Sequence, residues 1–271
     1  MEDFYLYRKA WCFNGAPHEE PRLQQQEWKA LLKKGGVLVR NTYDFDGPGE
    51  TSFWYVIKDH FGGMEELSGN TRRKIKRSLE QLDFRIIDVK TLEQEGYPLL
   101  KATMKDYTVT DRITNKKSFM DYLALCRQQP HDYWGIYDRE RQKMIGFCEN
   151  RIWDNACEYG LIAVLPEYKR KSTTYPYYGL FYRMNQYYLQ EKGFRYVSDG
   201  SRSITEHSHI HAFLEEKFMF RKSYCRLSVH YRQWLSIAVK MLYPFRKLIP
   251  IPQVKAILSM EAMQHHQTSF V

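Results

Sequence analysis

The rhythm of hydrophobic and polar positions changes several times along the chain. Val37-Leu-Val-Arg-Asn-Thr-Tyr43 and Ser52-Phe-Trp-Tyr-Val-Ile57 are short runs rich in β-branched and aromatic residues, and each predicts a strand. Asp46-Gly-Pro-Gly49 between them is a turn signal. From about Asn70 to Leu82 the period becomes helical. Ile75, Leu79 and Leu82 form one stripe, Ser68 or Asn70 is placed to cap the first turn, and Arg72, Arg73, Lys74, Lys76 and Arg77 occupy the other faces. Strand and helix patterns then alternate. Phe84–Val89 predicts a strand, 91–107 and 116–128 predict helices, and Tyr133–Tyr137 with Met144–Trp153 predicts a hairpin turning at Asp138-Arg-Glu-Arg141. A strand over 156–164 follows, and then a helix of roughly 15 residues ending near Gly193, a left-handed C-cap. A strand Phe194–Ser198 closed by Asp199-Gly200, a helix Thr205–Lys217 and a strand Tyr224–Tyr231 complete the order β-α-α-β-β-β-α-β-α-β across 84–231.

Composition narrows the class without deciding it. The 271 residues are 43% apolar and 27% charged, ordinary values for a globular chain long enough for one large domain or a domain with an appendage. A net charge of +9 suits an anionic ligand or surface, and does not choose between a phosphate-bearing cofactor, a nucleic acid and a phospholipid. The five cysteines, Cys12, Cys126, Cys148, Cys157 and Cys225, are odd in number and contain no CxxC pair, so free thiols in a reducing cytoplasm are expected. No secretory pattern opens the sequence and no run of 18 apolar residues occurs, so a cytoplasmic location without a transmembrane helix is expected.

The strongest chemical signal follows the strand that ends at Val164. Leu165-Pro-Glu-Tyr-Lys-Arg-Lys-Ser-Thr-Thr174 is a polar, basic turn leading into a Tyr-rich helix that starts at Pro176. Free backbone N–H groups, hydroxyls and three cations are what a pyrophosphate needs. The segment resembles the acyl-CoA loop of the GNAT N-acyltransferases, Val-x-Pro-Glu-Tyr-Arg-Gly-Lys-Gly-x-Gly, with Ser172 and Thr174 where that family has glycines. Ala212-Phe-Leu-Glu-Glu-Lys-Phe-Met-Phe220 resembles the family's late helix, with Glu215 where a tyrosine acid is common and Met219 in place of a glycine. Leu67 to Leu79 resembles a basic helix of the Fem-type peptidoglycan aminoacyltransferases. These resemblances imply an α/β (α+β) fold with a GNAT-like mixed central sheet and helices on both faces. They place an N-terminal β/α extension or reduced partner layer at 1–82, a GNAT-like acyltransferase domain at 83–231 and a C-terminal amphipathic tail at 232–271.

In that family an amine attacks the thioester of acyl-CoA in a splay between two central strands, here 156–164 and 194–198. The resemblance puts backbone donors near Ala163 and Val164. It puts the pyrophosphate contacts on Lys169, Arg170, Lys171, Ser172, Thr173 and Thr174. Candidate catalytic groups are Glu158 as general base with Glu149 as rival, Asp199 as acceptor for the incoming amine, and Tyr224 as general acid; each is more commonly a paired or solvated side chain. His207, His211 and Glu215 share a helical face at metal-ligand spacing, but a polar helix start explains them and no metal is expected.

The function expected is transfer of an acyl group from acyl-CoA, acetyl-CoA or longer, to an amine of a small molecule or a cell-envelope precursor such as an amino sugar. The alternatives are an aminoacyl-tRNA-dependent ligase of Fem type and a catalytically silent GNAT-like binding module. The basic helix is read first as a solvated face or a grip on a CoA or substrate phosphate, and tRNA second. The apolar segment 234–249, with scattered cations, is expected to pack on the N-terminal layer, with membrane-surface contact near a lipid-linked substrate as the other reading.

Overall fold

The computed structural model describes residues 3–21, 23–104, 113–170, 173–204 and 209–265. The chain begins with β1 (Phe4–Tyr7), β2 (Ala10–Phe13), α1 (Gln25–Lys34), β3 (Leu38–Tyr43) and β4 (Phe53–Lys58). Next come α2 (Gly69–Gln81), β5 (Leu82–Ile87), α3 (Val89–Thr91), α4 (Tyr97–Met104) and α5 (Lys116–Cys126). The hairpin β6 (His131–Asp138) and β7 (Lys143–Trp153) leads to β8 (Ala156–Val164), the short α6 (Pro166–Arg170) and α7 (Pro176–Asn185). Then β9 (Tyr196–Ser201), α8 (His209–Phe218), β10 (Arg221–Tyr231), α9 (Gln233–Leu242) and α10 (Pro252–His265) follow.

The chain divides into two compact units, one of Ile57–Gly200 with His211–Arg221, the other of Met1–Val56, Ser201–Ile210 and Lys222–Val271. In the first, the strands run in the order β9-β8-β7-β6-β5. β8 and β9 are parallel and the other neighbours antiparallel, so the sheet is mixed. Strand alternation sends successive side chains to opposite faces. Tyr133, Phe147 and Ala163 join Leu99, Leu100, Phe119 and Leu123 from α4 and α5 on one face. On the other, Trp134 Nε1 and Asn150 Nδ2 donate to the Tyr188 hydroxyl, at 3.0 and 3.2 Å, in the turn that continues α7. Helices therefore cover both faces, and both sides of the sheet are buried.

Local chemistry explains where these elements start and stop. The Ser68 side chain caps α2 by accepting from the Thr71 N–H at 3.3 Å. The helix expected over 91–107 is interrupted by a π-turn at Leu92–Gly96, just before Pro98, which has no N–H to give to an i−4 carbonyl. Pro176 opens α7, and Gly193 takes the left-handed conformation (φ +67°) where that helical stretch ends. α7 lies close against α2 at Gly179. A Cβ there would sit 2.4 Å from Ser78 Oγ and from the Phe84 ring.

In the other unit the order is β1-β2-β3-β10-β4, with β2 and β3 parallel and β10 antiparallel to β3. The pair β1–β2 and helix α1 extend the two strands expected from the sequence. Phe4, Leu31, Leu32 and Val39 form one small core. Leu38, Phe53, Cys225 and Leu227 form another with Met260 and Met263 of α10. Leu235 and Val239 of α9 pack with Leu258. No helix among the described residues is long and apolar enough to cross a membrane. All five cysteines are buried and free.

Candidate active site

β8 is the strand on which the candidate chemistry is arranged. It pairs with β9 at Ala156↔Tyr196, Cys157↔Val197 and Glu158↔Ser198, and among the described residues that ladder goes no further. Opposite β7 the register slips: Cys148 faces Ile162 and Asn150 faces Tyr159, so Gly160 and Leu161 together oppose Glu149. This is a β-bulge, which bends a strand and re-aims its groups. The bend begins where the β8–β9 ladder stops. The sequence expectation of a splay between 156–164 and 194–198 has this geometry.

Glu149 holds the bulge. Its Oε2 accepts from the Leu161 N–H at 3.3 Å and from the Tyr122 hydroxyl, and its Oε1 lies 3.0 Å from His131 Nε2. Gly160 is required beside it, because a Cβ there would come 2.5 Å from the carboxylate. Burial pushes the Glu149 carboxyl up, but hydrogen bonds from His131 and Tyr122 outweigh this and hold it below its ordinary value. Burial likewise opposes the charge on His131, yet its hydrogen-bond partners, Glu149 among them, raise it to about 10. The two form a buried ion pair. Cys126, His131 and Glu149 are the one trio of metal-ligand types among the described residues, with donor atoms within 4.8 Å of one another. Hydrogen bonding within the network already accounts for their approach.

Glu158 differs in every respect. It is half-buried, and its carboxylate makes no hydrogen bond among the described residues. Burial raises it to about 7, Arg151 partly offsets this, and the charges of Glu149 and Asp199 add to the rise. Gly200 on β9, with φ +81°, faces it, so that a Cβ there would stand 4.0 Å from Glu158 Oε2. Glu149, the rival base, is committed to structure, whereas Glu158 is uncommitted.

Asp199 lies within β9, although the sequence suggested that the strand closes before it. His211 Nε2 of α8 sits 3.3 Å from its carboxylate and 3.2 Å from its carbonyl. Burial raises the Asp199 carboxyl, and the hydrogen bond with Asp199 lifts His211 despite burial, so the pair retains a proton readily. Glu158 and Asp199 share a unit; Tyr224, on β10 edge-on to Trp54 at 6.1 Å, belongs to the other. His207 and Thr205 lie outside the described residues.

The loop after β8 keeps the expected order but adds a turn of helix. Ala163 and Val164 end β8 fully buried, and the Val164 carbonyl accepts from the Thr103 hydroxyl at 3.0 Å. Lys169 and Arg170 lie on α6, Thr173 and Thr174 in the turn after it, and Lys171 and Ser172 outside the described residues. Tyr168 anchors α6, its hydroxyl donating to Asp138 Oδ2 at 2.6 Å. The Thr174 hydroxyl donates to the Tyr168 carbonyl at 3.2 Å, which caps the end of α6. The left-handed residue is Tyr175 (φ +47°), the N-cap of α7.

α2 adjoins this loop, since Gln81 Nε2 donates to the Thr173 carbonyl at 3.1 Å. Lys74 is turned inward, donating to the Tyr178 hydroxyl at 3.1 Å. Arg72, Arg73, Lys76 and Arg77 instead line an open groove of about 740 Å³ with Glu80 and Gln81. The basic run thus separates by function, one lysine serving the core and four cations facing a groove. Sequence reasoning saw the charges but not the groove, because the groove depends on how α2 turns against α7.

No protein-family model and no curated protein matches the chain. Solved structures do. The structure of FemX aligns with a TM-score of 0.55 at 12% identity, covering 83% of this chain and 79% of that one. The C-terminal domain of a putative lysylphosphatidylglycerol synthetase from Agrobacterium fabrum aligns at 0.55 and 11% identity, covering 88% and 83%. L-PGS from Bacillus licheniformis aligns at 0.52 and 10% identity, covering 96% and 85%. At such identities the likeness concerns the backbone alone. The chain has a GNAT-like fold, and it resembles FemX over most of its length.

Proposed function

We propose that the protein is a transferase that moves an acyl or aminoacyl group from a phosphate-bearing carrier to an amine. The observation that carries this reading is Glu158, an uncommitted carboxylate titrating at about 7 at the point where β8 and β9 part. The amine nitrogen attacks the carrier's carbonyl carbon, the C–S or C–O bond to the carrier breaks, and the amine proton passes to Glu158. Backbone N–H groups near Ala163 and Val164, at the end of β8, are the candidates to meet the developing oxyanion. Asp199, held by His211, is the candidate to orient the amine.

Acyl-CoA is the donor that the sequence of the loop Val164–Thr174 favours, with the segment 169–174 as the candidate grip on its phosphates. A second reading, aminoacyl-tRNA, is favoured by the four-cation groove on α2, which offers more positive charge than a single pyrophosphate requires. The likeness to FemX and to a domain of a putative lysylphosphatidylglycerol synthetase supports it. The acceptor class is an amine of a small molecule or an envelope precursor. Thermal stability with acetyl-CoA and longer acyl-CoAs tests the first donor, since ligand at about 100 times Kd stabilises by about 2.7 kcal/mol. Filter binding of aminoacyl-tRNA across a salt series tests the second. A protein that responds to neither sinks the proposal.

A further inference from the structure

The C-terminal segment has two apolar faces, and only one of them is used. Leu235 and Val239 point inward to Leu258. Trp234, Ile237 and Met241 of α9, Phe245 in the tight turn that follows it, and Leu248 and Ile251 beyond that turn are each between 53 and 80% exposed. Large apolar side chains this exposed and gathered into one segment are unusual on a soluble surface. The charge around them has one sign. Arg232, Lys240, Arg246, Lys247 and Lys255 lie between Arg232 and Met260, and no carboxylate does. Beside α9 an open groove of about 1060 Å³ runs along α1, and Lys29, Lys33, Arg232 and Lys240 are among its lining residues. The buried Nε of Arg232 has no hydrogen-bond partner among the described residues.

We propose that this face is a peripheral membrane anchor that docks on anionic phospholipid. The six apolar side chains enter the headgroup boundary with α9 lying in the plane of the surface, and the lysines and arginines meet lipid phosphates. The groove beside α1 receives one headgroup phosphate. A second copy of the chain would bring five cations against five cations, so charge disfavours self-association through this face. An aqueous protein partner would need an acidic rim around an apolar centre; an anionic bilayer supplies both at once. The inference depends on neither the donor nor the acceptor proposed above.

The test is co-sedimentation of the full chain with vesicles of phosphatidylcholine alone and of phosphatidylcholine with phosphatidylglycerol. The expected result is binding at least tenfold tighter to the anionic vesicles, weakened by salt. Phe245→Glu with Leu248→Glu should abolish it with an unchanged melting temperature, because both side chains are exposed in the folded protein. Lys240→Ala with Lys247→Ala should reduce it to the level seen with phosphatidylcholine. Absence of binding to either vesicle overturns the proposal, as does binding that survives the double glutamate variant. A dimer in sedimentation velocity that the glutamate variant dissociates, without vesicle binding, assigns the face to a second copy instead.

Discussion

Glu149 and Glu158 are both carboxylates on central strands, and their partners give them opposite roles. Glu158→Gln removes the proposed base while keeping size and polarity, so kcat should fall about 10²–10⁴-fold with little change in acceptor KM. The wild-type rate should rise with pH through about 7, where Glu158 loses its proton, and the variant should lack that limb. A stability effect accompanies it. Because the folded carboxyl titrates above its ordinary 4.5, the folded state holds the proton longer, and Glu158 costs stability as pH rises from 4.5 to about 7. Above that window Glu158→Gln should therefore be more stable, by about 1–2 kcal/mol once solvent screening is allowed for, as urea titration at pH 8 would measure. Glu149→Ala should behave in the opposite way. It strands the buried His131 cation and should cost about 3–5 kcal/mol. The pair's stabilisation is complete above the ordinary Glu value of 4.5 and is lost on acidification through the lowered value. It is lost again as pH climbs from the ordinary His value of 6.5 towards about 10.

At the scale of elements, the contact of α2 with α7 sets which cations reach the groove. Gly179→Ala would force its Cβ against Ser78 and Phe84, wedge the two helices apart, and destabilise by about 1–3 kcal/mol in thermal unfolding. Arg72→Glu with Arg77→Glu leaves that packing intact, since both side chains line the groove. It should weaken donor binding about tenfold or more at low salt and flatten the salt dependence, read by titration calorimetry or filter binding. An unchanged affinity would assign the groove no part in the donor site. The sequence predicted α2 within a residue or two from its apolar stripe and a cap at Ser68 or Asn70; Ser68 is the cap, and Leu82 opens β5 instead of closing the helix. The β8 bulge had no comparable signal: Gly160 is one glycine in a strand, and its partner Glu149 lies eleven positions earlier on another strand.

For the whole molecule, the division into two units is built from both ends of the chain. β10 pairs with β3 through Arg226↔Tyr43 to Tyr231↔Leu38, so residues far apart in sequence make one sheet. α10 then covers Phe53, Leu227 and Val229 with Met260 and Met263. A chain ending at Pro250 should lose that cover and unfold in two calorimetric steps, the first at a temperature lower by 10 °C or more on the order-of-magnitude scale of a core deletion. A single unshifted transition would show that α10 is dispensable.

The sequence by itself determined what depends on near neighbours. The order of strands and helices over 84–231, the caps at Ser68, Pro176 and Gly193, and the basic run from Arg72 to Arg77 all follow from residues within a turn or two of each other. Periodicity also marked 234–249 as apolar, although it could not say that one side of the segment is buried against Leu258 and the other left open. The tertiary structure decided what depends on partners distant along the chain. Glu149 became a structural ion because Tyr122 and His131 close on it, and Glu158 became a candidate base because burial outweighs the charge of Arg151 opposite it. A carboxylate's charge state follows from its solvation and its neighbours, and those are fixed only once the strands are paired.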